Sequence, residues 1–265
     1  MAARDSREIL ERFPPPAADA RVAYGPEGLQ FGDLRLPAGD GPHPLLVVLH
    51  GGYWKALFNL IHTGHMCRAL ARDGIATWNV EYRRVGDVGG GWPGTLDDVR
   101  RALDFLPRLA ARHPVDAGCV ALFGHSAGGH LALCAGRDVL LRGLIAVAAV
   151  TDLVAASRRD AGGGAVDALL GGSPDEVPER YAGASPVELL PLGRPHVLVH
   201  GTADDVVPYA DSAAYAAASA GEAELVTLNG AGHFEPIDPE ASEWPVVAAL
   251  IRRLLGADLH MGTHV

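Results

Sequence analysis

The chain has 265 residues, of which 48% are hydrophobic and 20% are charged, so its composition predicts a folded protein with a sizeable core. Its 32 acidic and 22 basic residues give a formal net charge of -10, which repels phosphate backbones and argues against nucleic acid as a partner. The charged N-terminus does not resemble a secretory signal, and the longest apolar stretch, 143–150, is too short to cross a bilayer. Three cysteines without metal-type spacing predict buried reduced thiols. We therefore expect a cytoplasmic protein with no membrane partner.

The first part of the chain predicts, in order, a short helix at 5–12, two strands within 21–36, a strand at 45–50, a helix at 60–72 and a strand at 75–82. Three prolines at 14–16 follow the first helix and cannot continue it. Residues 95–113 carry apolar side chains at steps of three and four, which predicts one amphipathic helix. Thr95 and Asp98 have the spacing of a capping box at its start.

The alternation of strands and helices continues to the end of the chain. It predicts strands at 119–124, 143–150, 196–201 and 224–230, and helices at 127–136, 208–220 and 239–255. Because the middle strands are apolar on both faces, we predict an α/β fold with a mostly parallel central sheet and helices on both faces. The chain is interpreted as one domain, 1–265, with an N-terminal extension at 1–20. Residues 152–195 are long for a loop, which predicts a short cap-like insertion.

Ser126 lies between two glycines in the sequence Gly124-His125-Ser126-Ala127-Gly128. The pattern G-x-S-x-G is a weak signal by itself, because short motifs recur by chance. Here it directly follows a predicted strand and opens a predicted helix, which is the setting that exposes a nucleophilic serine above a sheet. We therefore predict Ser126 as a nucleophile.

A carboxylate and an imidazole follow two other predicted strands. Asp204 lies in HGTADDVVP after strand 196–201, and His233 lies in GAGHF after strand 224–230. His233 is predicted to take the proton from Ser126, and Asp204 to fix the imidazole and stabilise its charged form. Asp205 is the alternative carboxylate, and either aspartate could instead cap the following helix.

Acyl transfer also needs hydrogen-bond donors for the developing oxyanion, and removing one costs on the order of 3 kcal/mol. Gly51 and Gly52 follow the first buried strand in LHGGYW, and Ala127 follows the nucleophile, so their N–H groups are candidates. Trp54 and Trp92 are predicted to shape an apolar acyl or aryl pocket, with packing beneath loops as the alternative.

The motifs HGGYW, GHSAGG, HGTADDVVP and GAGHF together resemble the α/β-hydrolase superfamily. They are most similar to esterases of the hormone-sensitive-lipase and kynurenine-formamidase type and to the catalytic domains of prolyl-oligopeptidase-like enzymes. The resemblance implies the α/β-hydrolase fold. Tyr53 stands where the esterases have a third glycine, which implies that the N–H groups of Gly52 and Tyr53 point into the oxyanion hole.

These patterns predict a serine hydrolase that cleaves small carboxylic esters through an acyl-enzyme intermediate. His62 and His65 are spaced like metal ligands, but no carboxylate or cysteine completes a set, so we expect no metal and no other cofactor. An aryl formamidase acting on N-formylkynurenine-type substrates, an acyl transferase or cyclase, and a non-catalytic ligand-binding module remain alternatives. The expected partner is a small-molecule ester or amide, and the expected oligomeric state is a monomer or homodimer.

Overall fold

A computed structural model of the chain describes residues 7–11 and 15–256, and the strands of these residues form one eight-stranded sheet. They are β1 (Ala20–Ala23), β2 (Phe31–Arg35), β3 (His43–Leu49), β4 (Ala76–Val80), β5 (Val115–His125), β6 (Gly143–Val147), β7 (His196–Gly201) and β8 (Ala223–Leu228). Their spatial order is β1-β2-β4-β3-β5-β6-β7-β8. The six strands from β4 to β8 are parallel, while β1 and β2 form an antiparallel hairpin at one edge. The predicted fold class is confirmed.

Helices cover both faces of the sheet. They are α1 (Glu8–Glu11), α2 (Gly64–Arg72), α3 (Gly94–Asp104), α4 (Leu106–Ala110), α5 (Ala127–Ala135), α6 (Leu153–Arg158), α7 (Ala165–Leu170), α8 (Pro178–Ala184), α9 (Tyr209–Ala218) and α10 (Trp244–Leu255). Single 3-10 turns lie at Leu60–Thr63, Gly136–Asp138, Pro186–Leu189 and Glu235–Ile237. Helices α1, α2 and α10 pack on one face, and α3 to α9 lie on the other.

The position of β3 in the centre of the sheet explains why consecutive residues of this strand are apolar. Successive strand residues point to opposite faces, so Leu45, Val47 and Leu49 enter one apolar cluster. Leu46 and Val48 enter the cluster on the other face. All five side chains are buried, as expected for a central strand of a sheet covered on both sides.

Two local predictions for the helix at 95–113 are wrong. The helix is interrupted after Asp104, because Pro107 in the next turn has no N–H to donate to the carbonyl four residues earlier. Thr95 and Asp98 do not form a capping box. The Thr95 hydroxyl donates to the carbonyl of Arg83, and the buried Asp98 carboxylate accepts hydrogen bonds from Arg83 and Gln30.

Several element boundaries also differ from the sequence-based expectations, and β5 begins at Val115 rather than at 119. The first turn of the helix predicted at 60–72 is a 3-10 turn, and α10 begins at Trp244 rather than near 239. The apolar stretch 143–150 is a strand as far as Val147. Of the helix predicted at 5–12, residues 5, 6 and 12 lie outside the described residues. No helix in the described ranges is long and apolar enough to span a membrane.

The insertion at 152–195 folds into α6, α7, α8 and the 3-10 turn Pro186–Leu189. Asp152 begins α6 by accepting a hydrogen bond from the N–H of Ala155 at 2.9 Å. The insertion is attached to α5, because the carbonyl of Ala184 accepts hydrogen bonds from His130 and Cys134. It is also attached to the loop after β3, where Lys55 Nζ donates to the Gly162 carbonyl at 2.5 Å.

Close approach between α5 and β3 leads to the first prediction. A Cβ at Gly128 would lie 2.2 Å from the carbonyl oxygen of Leu49 and 2.5 Å from that of His50. Because these are backbone atoms, Gly128→Ala must displace the helix or the strand, and we expect it to lower the free energy of unfolding by about 3 kcal/mol. Urea denaturation of both proteins measures the difference.

Gly28→Ala is the matched control, since a Cβ there meets no atom within 4 Å. We expect it to change the free energy of unfolding by less than about 0.5 kcal/mol. Equal stabilities of the Gly128→Ala and Gly28→Ala proteins would contradict the close approach.

Buried imidazoles lead to a second prediction. Burial lowers the pKa of His130 from its ordinary value of 6.5 to about 4 and that of His62 to about 3, and it lowers the pKa of His125 well below the ordinary value. As the pH falls below 6.5, the unfolded chain binds protons on these rings while the folded protein does not. The stability that the neutral rings provide is therefore complete above pH 6.5 and is lost as the pH falls towards 4.

We expect the free energy of unfolding to fall by up to about 1.4 kcal/mol per pH unit for each of the three rings. Urea denaturation at pH 7.5, 6 and 5 measures this slope. His130→Gln removes one of the three rings, so the slope should become smaller by up to about 1.4 kcal/mol per pH unit. The same slope in both proteins would show that His130 does not contribute to it.

Candidate active site

Ser126 occupies a sharp turn between β5 and α5. Its backbone angles, φ 55° and ψ -120°, are unusual for a residue with a side chain. The Ser126 N–H donates to the carbonyl of Val147 in β6 at 2.8 Å, which holds the turn against the sheet. A Cβ at Gly124 would lie 2.1 Å from the Gly128 carbonyl, so the turn needs glycine at Gly124. The structure thus gives Ser126 the strand-turn-helix geometry that the motif predicts.

The carboxylate of Asp204 faces His233. His233 Nδ1 donates to Asp204 Oδ2 at 2.7 Å, and His200 Nε2 lies 3.2 Å from the same oxygen. Asp204 Oδ1 accepts from the N–H groups of Val206 and Val207 at 2.8 and 2.9 Å. The neighbouring Asp205 is exposed and pairs with Arg7 at 2.5 Å. Of the two candidate aspartates, the structure therefore brings Asp204 to the histidine.

The surroundings of Asp204 keep it ionised. Burial would raise the pKa of this carboxyl, but hydrogen bonds from His200 and His233 and the attraction of His233 outweigh burial and hold the pKa well below its usual range. The ionised Asp204 accepts a hydrogen bond from the N–H at His233 Nδ1. In this tautomer, Nε2 of His233 carries no proton and can accept one.

Ser126 and His233 line the same cavity, which has a volume of about 180 Å³ and is called the catalytic cavity below. No hydrogen bond to the Ser126 hydroxyl is found among residues 7–11 and 15–256, so the hydroxyl is available to a bound molecule. Contacts between catalytic groups are often loose without substrate. The other lining residues are Arg7, Leu10, Gly52, Tyr53, Phe58, His62, His125, Val206 and Phe234.

The loop after β3 passes next to the nucleophile. A Cβ at Gly51 would lie 3.0 Å from the Ser126 Cβ, so only a glycine lets the loop come this close without displacement. The next three residues have left-handed backbone angles, with φ values of 116° at Gly52, 53° at Tyr53 and 55° at Trp54. Such angles in residues with side chains are strained and concentrate at functional sites.

Three backbone N–H groups predicted to bind the oxyanion have no acceptor in the part of the chain that the structure describes. They belong to Gly52, Tyr53 and Ala127. Gly52 and Tyr53 line the catalytic cavity, and Ala127 follows Ser126 in the first turn of α5. Unpaired N–H groups beside a nucleophile are the arrangement that an oxyanion requires.

The two predicted substrate-binding tryptophans lie in different places. Trp54 is buried, packs edge-on against His130 with ring centroids 5.1 Å apart, and lines a second cavity. Trp92 donates its backbone N–H to the Leu169 carbonyl at 2.8 Å, and its ring approaches the backbone of Gly183. Trp92 therefore packs beneath the insertion and is not among the residues that line either cavity.

The second cavity, called the insertion cavity below, has a volume of about 170 Å³ and lies between the loop after β3 and the insertion. Its lining residues are apolar apart from Tyr53 and the ion-paired Arg159 and Asp211. Tyr53 and Val206 line both cavities, so the two spaces are neighbours. The remaining lining residues are Trp54, Val150, Ala156, Ala161, Val166, Val207 and Pro208.

Two histidines, His125 and His50, hold the two loops of the site in place. His125 Nε2 donates to the His233 carbonyl at 2.9 Å, and the two rings lie 4.7 Å apart. On the other side, His50 binds Glu81 Oε1 at 2.9 Å and the Gly51 carbonyl at 2.7 Å. The sequence does not reveal that His125 binds the His233 carbonyl or that His50 binds Glu81, because these partners are distant along the chain.

Two family models match parts of the chain. The family model described as the prolyl oligopeptidase family matches residues 94–242, and the model named BD-FAE matches residues 33–142. Esterase LipC of Mycobacterium tuberculosis is 26% identical over 254 residues. That match covers 82% of this chain, and the chain spans 60% of the length of LipC.

Two solved structures share the fold. A truncated carbohydrate esterase from gut microbiota has a TM-score of 0.78 at 19% identity, covering 89% of this chain and 95% of that one. The thermophilic esterase Est2 from the planctomycete Thermogutta terrifontis has a TM-score of 0.74 at 20% identity, covering 97% and 100%. The parallel sheet and the strand-turn-helix motif give the chain the α/β-hydrolase fold. Because the matched model covers more than half of it, the chain belongs to the prolyl oligopeptidase family.

Proposed function

We propose that this protein hydrolyses small carboxylic esters with Ser126 as nucleophile, His233 as general base and Asp204 as the group that orients His233. The observation that carries the proposal is the hydrogen bond from His233 to Asp204, made by a histidine that shares a cavity with a serine in a strained turn. All three residues follow parallel strands at their carboxyl ends, where ligands of such sheets bind.

In the proposed reaction, Ser126 Oγ attacks the ester carbonyl carbon while its proton moves to His233 Nε2. The carbonyl oxygen gains negative charge and accepts hydrogen bonds from the N–H groups of Gly52, Tyr53 and Ala127. When the bond to the alcohol breaks, His233 gives the proton to the leaving oxygen. Water, deprotonated by the same histidine, then attacks the acyl-enzyme, and the acid leaves as Ser126 regains its proton.

The two cavities support a compact substrate. Each is close in volume to an apolar cavity of about 150 Å³ that holds one benzene molecule. We propose that one half of the ester enters the insertion cavity and the other half occupies the catalytic cavity. The esterase name of LipC also supports an ester substrate.

Substitution of the two adjacent aspartates tests the assignment of the triad. Asp204→Asn removes the charge that orients His233, and we expect kcat for p-nitrophenyl acetate and butyrate to fall about 10⁴-fold. Asp205→Asn is the matched control, because Asp205 pairs with Arg7 instead of His233, and it should change kcat less than about threefold.

Ser126→Ala should reduce hydrolysis to the level of Asp204→Asn or below, and it should abolish labelling by a fluorophosphonate probe. The three variants should keep the circular dichroism spectrum of the wild type. Equal rates in wild type and Ser126→Ala, or equal losses in Asp204→Asn and Asp205→Asn, would refute the triad.

Filling the insertion cavity tests the proposed substrate size. Ala161 lines this cavity, so Ala161→Trp should exclude an aromatic ring from it. For the ester whose ring enters the cavity, benzyl acetate or ethyl benzoate, kcat/KM should fall at least about tenfold. Ethyl acetate, which lacks a ring, should lose less than about threefold.

Ala168→Trp adds the same side chain to an exposed position of α7 and should leave all three rates unchanged. Equal effects of the two substitutions would show that the insertion cavity does not bind substrate.

A further inference from the structure

A buried, hydrogen-bonded pair of His50 and Glu81 lies next to the loop that follows β3. His50 and Glu81 are almost completely inaccessible to solvent, with relative exposures of 1% and 2%. His50 Nε2 lies 2.9 Å from Glu81 Oε1, and His50 Nδ1 lies 2.7 Å from the carbonyl oxygen of Gly51. Both ring nitrogens therefore face oxygen atoms at hydrogen-bond distance.

Glu81 accepts hydrogen bonds and faces a guanidinium, as a carboxylate does. Glu81 Oε1 accepts from the N–H of Tyr82 at 3.1 Å, Oε2 accepts from the N–H of Leu60 at 3.3 Å, and Arg84 lies 3.3 Å from Oε1. Burial raises the pKa of Glu81, but the attraction and hydrogen bond of His50 and the charge of Arg84 outweigh burial and hold the pKa below its usual value. A carboxylate has no proton to donate to His50.

Since a carboxylate and a backbone carbonyl both only accept hydrogen bonds, both nitrogens of His50 are placed to donate one, which is the hydrogen-bonding pattern of an imidazolium. Tyr82 supports this state, because its aromatic ring stacks on His50 with centroids 4.4 Å apart and planes 6° apart, and an aromatic face attracts a cation. The Tyr82 hydroxyl also donates to the His50 carbonyl at 2.6 Å, which fixes the ring and backbone of His50 together.

We propose that His50, as an imidazolium held by Glu81, strengthens the oxyanion donor at Gly52 by polarising the peptide group between Gly51 and Gly52. The Gly51 carbonyl and the Gly52 N–H belong to the same peptide unit. A charge-assisted hydrogen bond to that carbonyl draws electron density from the N–H and makes it a better donor. His50 and Glu81 are positioning residues that do not touch substrate, and this inference rests on the proposed ester hydrolysis.

The protonation of His50 is tested on the wild-type protein, without any activity measurement. Nitrogen-15 NMR of the histidine side chains at pH 7.5, with His50 assigned by the signals that His50→Gln removes, should show two protonated ring nitrogens. One protonated and one bare nitrogen would overturn the proposal. This result is decisive even if a variant at Glu81 fails to fold or the protein hydrolyses no ester.

The effect on the oxyanion donor is tested with Glu81→Gln, which keeps the shape of the side chain and removes its charge. We expect kcat for p-nitrophenyl acetate to fall about tenfold with KM changed less than about twofold, since the donor matters most in the transition state. Affinity for a boronic acid, which forms a tetrahedral adduct on serine, should fall by a similar factor. The NMR spectrum of Glu81→Gln should show that His50 has lost one proton.

Asp98→Asn is the matched control, because Asp98 is an equally buried carboxylate that binds Arg83 and Gln30 instead of the loop after β3. It should lower the free energy of unfolding and leave kcat and boronic acid affinity unchanged. If Glu81→Gln raises KM or lowers stability without a selective loss of kcat, Glu81 is merely structural. If wild type hydrolyses no ester while both nitrogens of His50 are protonated, the proposed function fails and the assignment of the imidazolium stands.

Discussion

The site depends on how closely the first turn of α5 approaches the end of β3. Gly128 faces the carbonyl oxygens of Leu49 and His50 with no room for a side chain, and Gly51 faces the Cβ of Ser126 in the same way. These contacts bring the serine, the start of α5 and the loop after β3 into one small volume. Every other property of the site, including the availability of the unpaired N–H groups, presupposes this approach.

A second constraint is the burial of charge at the same edge of the sheet. Glu81, Asp98 and Asp204 are all ionisable groups removed from water, and each accepts hydrogen bonds from a cationic or imidazole side chain. Isolated charges would be very costly there, whereas paired and hydrogen-bonded ones hold neighbouring loops in one geometry. Asp204 holds the histidine loop, and Glu81 holds the loop after β3 through His50.

The features that were predictable from the sequence are those with local causes. Apolar runs and helical spacing identified the central strands and their alternation with helices, and a serine between glycines identified the sharp turn at Ser126. The interruption at Pro107 was also a local signal, but apolar periodicity favoured a continuous helix. Asp98 has capping-box spacing, yet its pairing with Arg83 depends on tertiary contacts that the spacing does not contain.

The same limit explains what was missed in the site. His50 and Glu81 are 31 positions apart, and His125 and the carbonyl that it binds are 108 apart, so only folding reveals these pairs. Trp92 is a large aromatic residue in a glycine-rich loop, which is typical of a pocket residue. Its backbone hydrogen bond to Leu169 instead attaches it to the insertion. Whether a loop residue lines a pocket depends on the direction of its side chain. A loop has no periodic pattern from which the sequence could predict that direction.

The hydrogen bond from His125 to the His233 carbonyl has a mechanical consequence. His125 is the residue immediately before Ser126, so the chain segments that carry the hydroxyl and the imidazole are tethered to each other at their backbones. This hydrogen bond restrains the position of the Ser126 segment relative to the His233 segment, because a displacement of either one would stretch it.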